Sequence, residues 1–186
     1  GGRVPSARVR AEVQGVARRT PRKALGLREA EGRSYSAGRR GYVVSPPRIR
    51  YDPTSPINLM RQVREQGLMA ENFYLGRQLL EATPWYARHF EKPTGTPLVL
   101  ERSVISVEDR KIAYSEDCLL LDALPGYAER PYVSPMTQNI QKNYGVFPQI
   151  RSLRMLAANI SHVASRHLGV ASDALGLSFE YVAEFN

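Results

Sequence analysis

The sequence predicts an α+β chain of two domains: a small basic head of short helices closed by a hairpin, and a larger body built on a central antiparallel sheet. Three observations lead there. Gly1 to Tyr51 carry 13 Arg/Lys against 3 Asp/Glu, a net +10, whereas the remaining residues carry 13 against 15, a net −2. Residues 45–56, SPPRIRYDPTSP, place four prolines in twelve positions, which blocks regular structure and reads as a linker. Beyond them, PLVLERSVIS and KIAYSEDCLLL flank the turn-like VEDR and read as an antiparallel hairpin at the sheet's centre. The expected division is a head at 1–45, a linker at 46–56 and a body at 57–186.

With 42% apolar and 24% charged residues, the 186-residue chain suits a packed core and excludes a disordered tail. No apolar stretch approaches the roughly 20 residues that span a bilayer, and no signal segment opens the chain, so a cytoplasmic protein without a membrane partner is expected. The single cysteine, Cys118, cannot form an internal disulfide and reads as a buried, inert thiol. The cationic excess of the head attracts phosphate and releases counterions, which points to nucleic acid; charge alone leaves a basic leader or a membrane-surface segment open as alternatives.

In the head, Ser6 is a fitting N-cap for a helix through ARVRAEVQG, Gly15 allows a tight turn, and VARRTPRKALGLREAEG follows as a second helix. Arg18, Arg19, Thr20, Arg22 and Lys23 crowd its first turns, where arginine can pair with guanine or phosphate and threonine can meet a phosphate or a thymine methyl. Pro21 is tolerable there because a first-turn N–H has no helical partner. SYSAGRRGYVV then reads as a hairpin with Arg39 and Arg40 at a tip bounded by Gly38 and Gly41; such a tip can enter a minor groove. Two helices about a tight turn, followed by a hairpin, make a winged helix-turn-helix.

In the body, NLMRQVREQG reads as a polar helix and LMAENFYLG as a strand, while RQLLEATPWYARHF has helical apolar spacing with a break or a new start at Pro84. After the hairpin comes a Pro/Gly-rich loop from Leu124 to Pro135, then the helix TQNIQKNYG closed by Gly145. IRSLRMLAA reads as a strand, SHVASRHLG as a helix ending at Gly169, and ALGLSFEYVAEFN as a last strand. No internal repeat is visible.

VPSARVRAEVQGVARRTPRKALGLREAEG followed by AGRRGYVV resembles the winged helix-turn-helix of the GntR family of bacterial repressors. Carried over by position, the resemblance implies that Ser6, Arg8, Arg18, Thr20 and Arg22 contact DNA and that Gly41 lets the wing approach it. Arg10, Pro21 and Arg28 stand where that family has apolar residues. Residues 57–186, through GTPLVLERSVISVEDRKIAYSEDCLL, YG and HLGVASDALGLSFEYVAEFN, resemble the UTRA effector domain of the HutC subfamily, a fold related to chorismate lyase with two structurally equivalent halves. The family's first helix and last strands have no counterpart in this sequence, so a chain truncated at both ends is expected.

The resemblance implies a DNA-binding regulator, dimeric through its body, that reads a palindromic double-stranded operator as a repressor under control of a small-molecule effector. Arg102 matches the first basic position of the ligand-facing strand and can bind a carboxylate or phosphate. Where phosphosugar-binding members carry a second arginine, a glutamate, a serine and a tyrosine, this chain has Val104, Ser115, Pro135 and Thr137, which points to a smaller or less charged effector. Glu116, Ser134, Ser152 and Arg154 complete the candidate contacts.

No enzyme, cofactor or metal site is expected. His89, His162 and His167 lack ligand spacing, and the sequence has neither a Gly-x-Ser-x-Gly elbow nor a phosphate loop. A chorismate-lyase-like enzyme, or a ligand and dimerisation module with an inert head, are the competing readings.

Overall fold

The computed structural model describes residues 13, 15, 19–30, 33–36, 42–45, 48–55 and 58–185, with the side chains of 19–22, 29, 30, 35 and 36 outside that description. It divides into two compact units, 1–49 and 50–186.

In the first unit, Gly15 takes the left-handed backbone that a tight turn requires, with φ +62°. Helix α1, Arg19–Ala30, follows. Pro21 falls in its first turn, as its missing N–H demands. Leu25 is the buried one among the helix's described side chains. Strands β1, Ser34–Ser36, and β2, Tyr42–Val44, pair antiparallel with Ser34 opposite Val44. The helix and hairpin expected here are therefore present; the first helix and the tip, with Arg39, Arg40 and Gly41, lie outside the described residues.

The second unit starts inside the expected linker. Residues 50–55 are irregular but docked on helix α2, Leu59–Glu65. Gln62 and Gln66 each grip the extended chain through both amide atoms: Gln62 accepts from Asp52 N and donates to its carbonyl, at 2.8 and 2.9 Å, and Gln66 does the same with Arg50 at 2.9 and 2.7 Å. Asn58 caps the helix by accepting from Arg61 N at 2.9 Å. Side-chain amides thus supply partners that the prolines deny the backbone.

Strand β3, Ala70–Glu81, helix α3, Pro84–Phe90, and strands β4, Pro97–Val107, and β5, Arg110–Leu120, form a three-stranded antiparallel sheet in the order β3-β4-β5. RQLLE, expected as helix, is strand: Arg77 through Glu81 pair residue by residue with Glu101 through Pro97, and the helix begins only at Pro84. Ladder pairing with a central strand outweighs the weak helical preference of five residues. β4 and β5 meet through Glu108 and Asp109, both left-handed at φ 49° and 62°, as a two-residue hairpin turn needs.

Helix α4, Met136–Tyr144, ends at a left-handed Gly145, and strand β6, Pro148–Asn159, helix α5, His162–Leu168, and strand β7, Leu175–Phe185, complete the unit. β6 and β7 pair with each other in a separate two-stranded sheet, so the strands sort into two antiparallel sheets.

The second half repeats the first. β3, α3 and β4 start at 70, 84 and 97, and β6, α5 and β7 at 148, 162 and 175, each 78 residues later. The sequence hides this because few side chains are shared: Arg88-His89-Phe90 against Arg166-His167-Leu168, and the helix caps Thr83 and Ser161. Each helix crosses to the other half. His89 Nε2 of α3 lies 3.4 Å from Glu180 of β7, and Glu91 beyond α3 pairs with Arg151 of β6 at 2.9 Å. In return His167 of α5 stacks on Tyr114 of β5 at 5.4 Å, and its carbonyl accepts from Lys111 at 2.9 Å.

The three-stranded sheet is anchored by one buried ion pair. Arg77 stands opposite Glu101, donates to it at 2.9 Å through Nε, and spends its Nη1 on the carbonyls of Tyr127, Ala128 and Arg130 at 3.2, 2.7 and 2.8 Å. The Tyr127 hydroxyl donates to the other Glu101 oxygen at 2.9 Å. Removing one charge strands its buried partner, which typically costs about 3–5 kcal/mol. We expect Glu101→Leu to lose stability on that scale in urea unfolding, and Arg77→Met/Glu101→Leu to lose less than the sum of the single changes; strict additivity would refute the coupling.

Candidate functional site

The pleat of β3, β4 and β5 sorts the candidate residues onto two faces. Across the three strands, one face carries the rows Tyr74–Ser103–Ser115, Arg77–Glu101–Asp117 and Leu79–Val99–Leu119. The other carries Phe73–Val104–Tyr114, Gly76–Arg102–Glu116 and Gln78–Leu100–Cys118. Leu75 is the extra residue of a bulge in β3.

Arg102 and Glu116, both expected in the site, meet on the second face. Arg102 donates through Nε to Glu116 at 2.9 Å and reaches Gln78 Oε1 at 3.2 and 3.3 Å, while the Tyr114 hydroxyl donates to the same Glu116 oxygen at 2.9 Å. The Arg102 charge is thereby balanced within the sheet. Tyr86 of α3 lies beside Cys118, whose thiol is pushed up by burial to about 11. That thiol is protonated at neutral pH, in keeping with the inert role expected of it.

Ser115 points to the opposite face and so cannot join Arg102 around one ligand. Its hydroxyl donates to Asp117 at 3.0 Å. The 121–135 loop covers this face, with Tyr127 and Leu124 packed on Val99, Leu119 and Ile140. Further along the loop, Tyr132 stacks on Tyr74 with ring centroids 4.1 Å apart. Asn72 donates to the Tyr132 hydroxyl at 2.8 Å and to Ser134 Oγ at 3.1 Å. Ser134, an expected contact, therefore belongs here, and Thr137 follows it, half-buried in the first turn of α4. Ser152 and Arg154 lie apart, exposed on β6 opposite Val182 and Glu180.

Sequence reasoning missed Asn72, Asp117 and Tyr132. Asp117 follows Ser115 and Glu116 in the strand, where alternation along β5 turns Glu116 outward and Asp117 under the loop. Its carboxyl is raised above the usual range, first by burial and further by Glu101, against the lowering effect of Ser115. The Tyr132 hydroxyl is likewise raised chiefly by burial, with Asp117 and Glu101 adding to it.

Among the head candidates, Arg19, Thr20, Arg22 and Lys23 fall at the N-terminal end of α1, and Lys23 is exposed. Ser6, Arg8 and Arg18 lie outside the described residues.

These features define an α+β domain of two β-α-β halves with polar groups on rigid strands beneath a loop, in a chain that also contains a small helix-and-hairpin unit. The UTRA domain model matches residues 65–185, and the chain belongs to the UTRA domain family. It is 28% identical over 131 residues to the HTH-type transcriptional regulator YihL of Escherichia coli, covering 70% of this chain and 56% of that relative. The chain thus spans little more than half of the relative's length. Its fold is similar to PhnF from Mycobacterium smegmatis, with a TM-score of 0.70 at 22% identity over 98% of this chain and 80% of that one. A GntR-family transcriptional regulator from Bacillus cereus matches with a TM-score of 0.55 at 11% identity, over 62% of this chain and 81% of that one.

The raised Asp117 carboxyl sets a pH dependence. Folding favours its protonated form, so its contribution to stability is present at low pH and is lost as pH rises above its unfolded value of about 3.9 toward the raised folded one. Asp117→Asn is expected to unfold at higher temperature than the parent at pH 7 and to lose that advantage near pH 3.5; calorimetry at both pH values checks this, and an equal difference at each would contradict it.

Proposed function

We propose that the protein is a bacterial transcription regulator of the GntR family, HutC subfamily, whose winged helix-turn-helix head reads a palindromic operator and whose body binds a small-molecule effector. The observation that carries this reading is the union, in one chain, of a UTRA body with a head that holds all of the cationic excess. The order of α1 and the β1–β2 hairpin supports reading them as recognition helix and wing, with Arg19, Thr20, Arg22 and Lys23, at the N-terminal end of α1, as the proposed contacts to base edges and phosphates. Arg18, Arg39, Arg40, Ser6, Arg8 and Gly41, which lie outside the described residues, are proposed as further DNA contacts on the strength of the sequence resemblance.

Two bodies related by a twofold axis would present two heads to a palindrome. The apolar side chains Met155, Leu175 and Leu177, exposed on one face of the β6–β7 sheet, suit such a homodimer. A repressor working in the cytoplasm, on the nucleoid, fits this architecture. An effector acts through its different affinity for two arrangements of the heads, and polar groups on rigid strands are where it would be held.

Mobility-shift titration of the full-length protein against the promoter of its own gene tests the reading. Binding should weaken steeply between about 50 and 200 mM salt, and Arg22→Ala with Lys23→Ala should weaken it about tenfold or more. Unchanged affinity in the double variant would instead favour an inert head on a ligand and dimerisation module.

A further inference from the structure

The loop-covered face of the sheet holds six polar residues within one small region: Asn72, Ser103, Ser115, Asp117, Tyr132 and Ser134. Ser103 is 4% exposed, and the Asn72 Oδ1 atom is buried with no hydrogen-bond partner among the described residues. The Asn72 amide and the Ser115 and Ser134 hydroxyls are committed internally, while the Ser103 and Tyr132 hydroxyls donate to no acceptor among the described residues. The Ser115 hydroxyl donates to Asp117, the Asn72 amide nitrogen donates to Tyr132 and Ser134, and Ser134 turns its own proton to the Met60 sulfur at 4.0 Å. What remains open is two acceptors, the Asn72 carbonyl oxygen and the second Asp117 oxygen, beside the hydroxyl protons of Ser103 and Tyr132.

Charge points the same way. Asp117 stands next to Glu101 in register, so two carboxyls share one row of the sheet. The row's cation, Arg77, is already spent on Glu101 and three loop carbonyls. Arg102 is on the opposite face with Glu116. Among the described residues no lysine or arginine pairs with Asp117, and a desolvated carboxylate without a counter-ion is unfavourable. An anion here would face two carboxyls at close range, whereas a group that brings both N–H donors and positive charge satisfies the open acceptors and balances Asp117.

We infer that this face is a binding site for a small protonated amine, with Asp117 as its counter-ion and the Asn72 carbonyl as a second acceptor. In calling the amine an effector the inference rests on the regulator reading; as a binding site it stands alone. The ammonium lies against Asp117 beneath Tyr132, and the 121–135 loop closes over it. Since that loop is tied to the sheet by Arg77, the ligand has a direct means of tightening the loop against β3 and β5.

The test is the thermal unfolding of the full-length protein with ethylammonium, ethanolamine and putrescine chlorides, compared at matched ionic strength with sodium acetate, glucose 6-phosphate and myo-inositol. A bound ligand raises apparent stability in proportion to the logarithm of its concentration over Kd. The amines are expected to raise Tm by several degrees with saturation, and the other three compounds to leave it unchanged. Asp117→Asn should abolish the response while keeping the fold, and Ser115→Ala, which retains the carboxylate, should preserve it. An amine response no larger than that of acetate or inositol overturns the proposal, as does one that survives Asp117→Asn. Operator binding separates the two ideas: an amine that stabilises the parent protein without changing DNA affinity leaves the site standing and removes its role as effector site. DNA binding that responds only to an anion or a sugar leaves the regulator standing, and the amine site then falls only if the thermal shift with amines is absent as well.

Discussion

The Arg77–Glu101 pair is the constraint on which the body depends. A guanidinium and a carboxylate placed directly opposite each other on adjacent strands lock the register of β3 on β4, since a slip of one residue would bury each charge alone. The same arginine holds the carbonyls of Tyr127, Ala128 and Arg130, so the irregular chain between Leu121 and Pro135 is fixed to the sheet midway along its length. Tyr127 closes the arrangement from the loop side, its hydroxyl on Glu101 and its ring beneath the guanidinium. A buried charge pair is a weak source of net stability but a strong source of uniqueness, and here it decides which face of the sheet the loop covers.

That decision gives the two faces different chemistry. On the outer face the ionic groups balance each other at the surface, and Arg102, the residue with the most obvious binding chemistry, is engaged by Glu116 and Gln78. On the covered face the balance is incomplete. Glu101 has its cation, whereas Asp117 has none among the described residues, and burial magnifies the difference because a low dielectric strengthens every unmatched interaction.

Much of the fold was legible. The β4–β5 hairpin, the helix stops at Gly145 and Gly169, the first-turn proline of α1 and the turn at Gly15 each follow from a local rule acting on a few adjacent residues. RQLLE was not legible, because its pattern fits a helix and only pairing with β4 makes it a strand. The repeat at a spacing of 78 residues was hidden for a related reason: the two halves share strand lengths and helix caps, which are backbone properties, but almost no side chains. Of the effector-site candidates, Arg102 with Glu116 and Ser115 with Ser134 each reach a polar cluster, but the two clusters lie on opposite faces of the sheet.

By itself the sequence determined the two-domain plan, the cationic head, the antiparallel body and the family resemblance, because composition, charge and hydrophobic alternation are carried by neighbours along the chain. Only the tertiary structure decided that half of the proline-rich segment docks on α2, that α3 and α5 cross to opposite halves, and that Asp117 rather than Arg102 lies beneath the loop. The reason is physical. Which face of a strand is covered depends on a loop that arrives from elsewhere in the chain, and no local rule records where it lands.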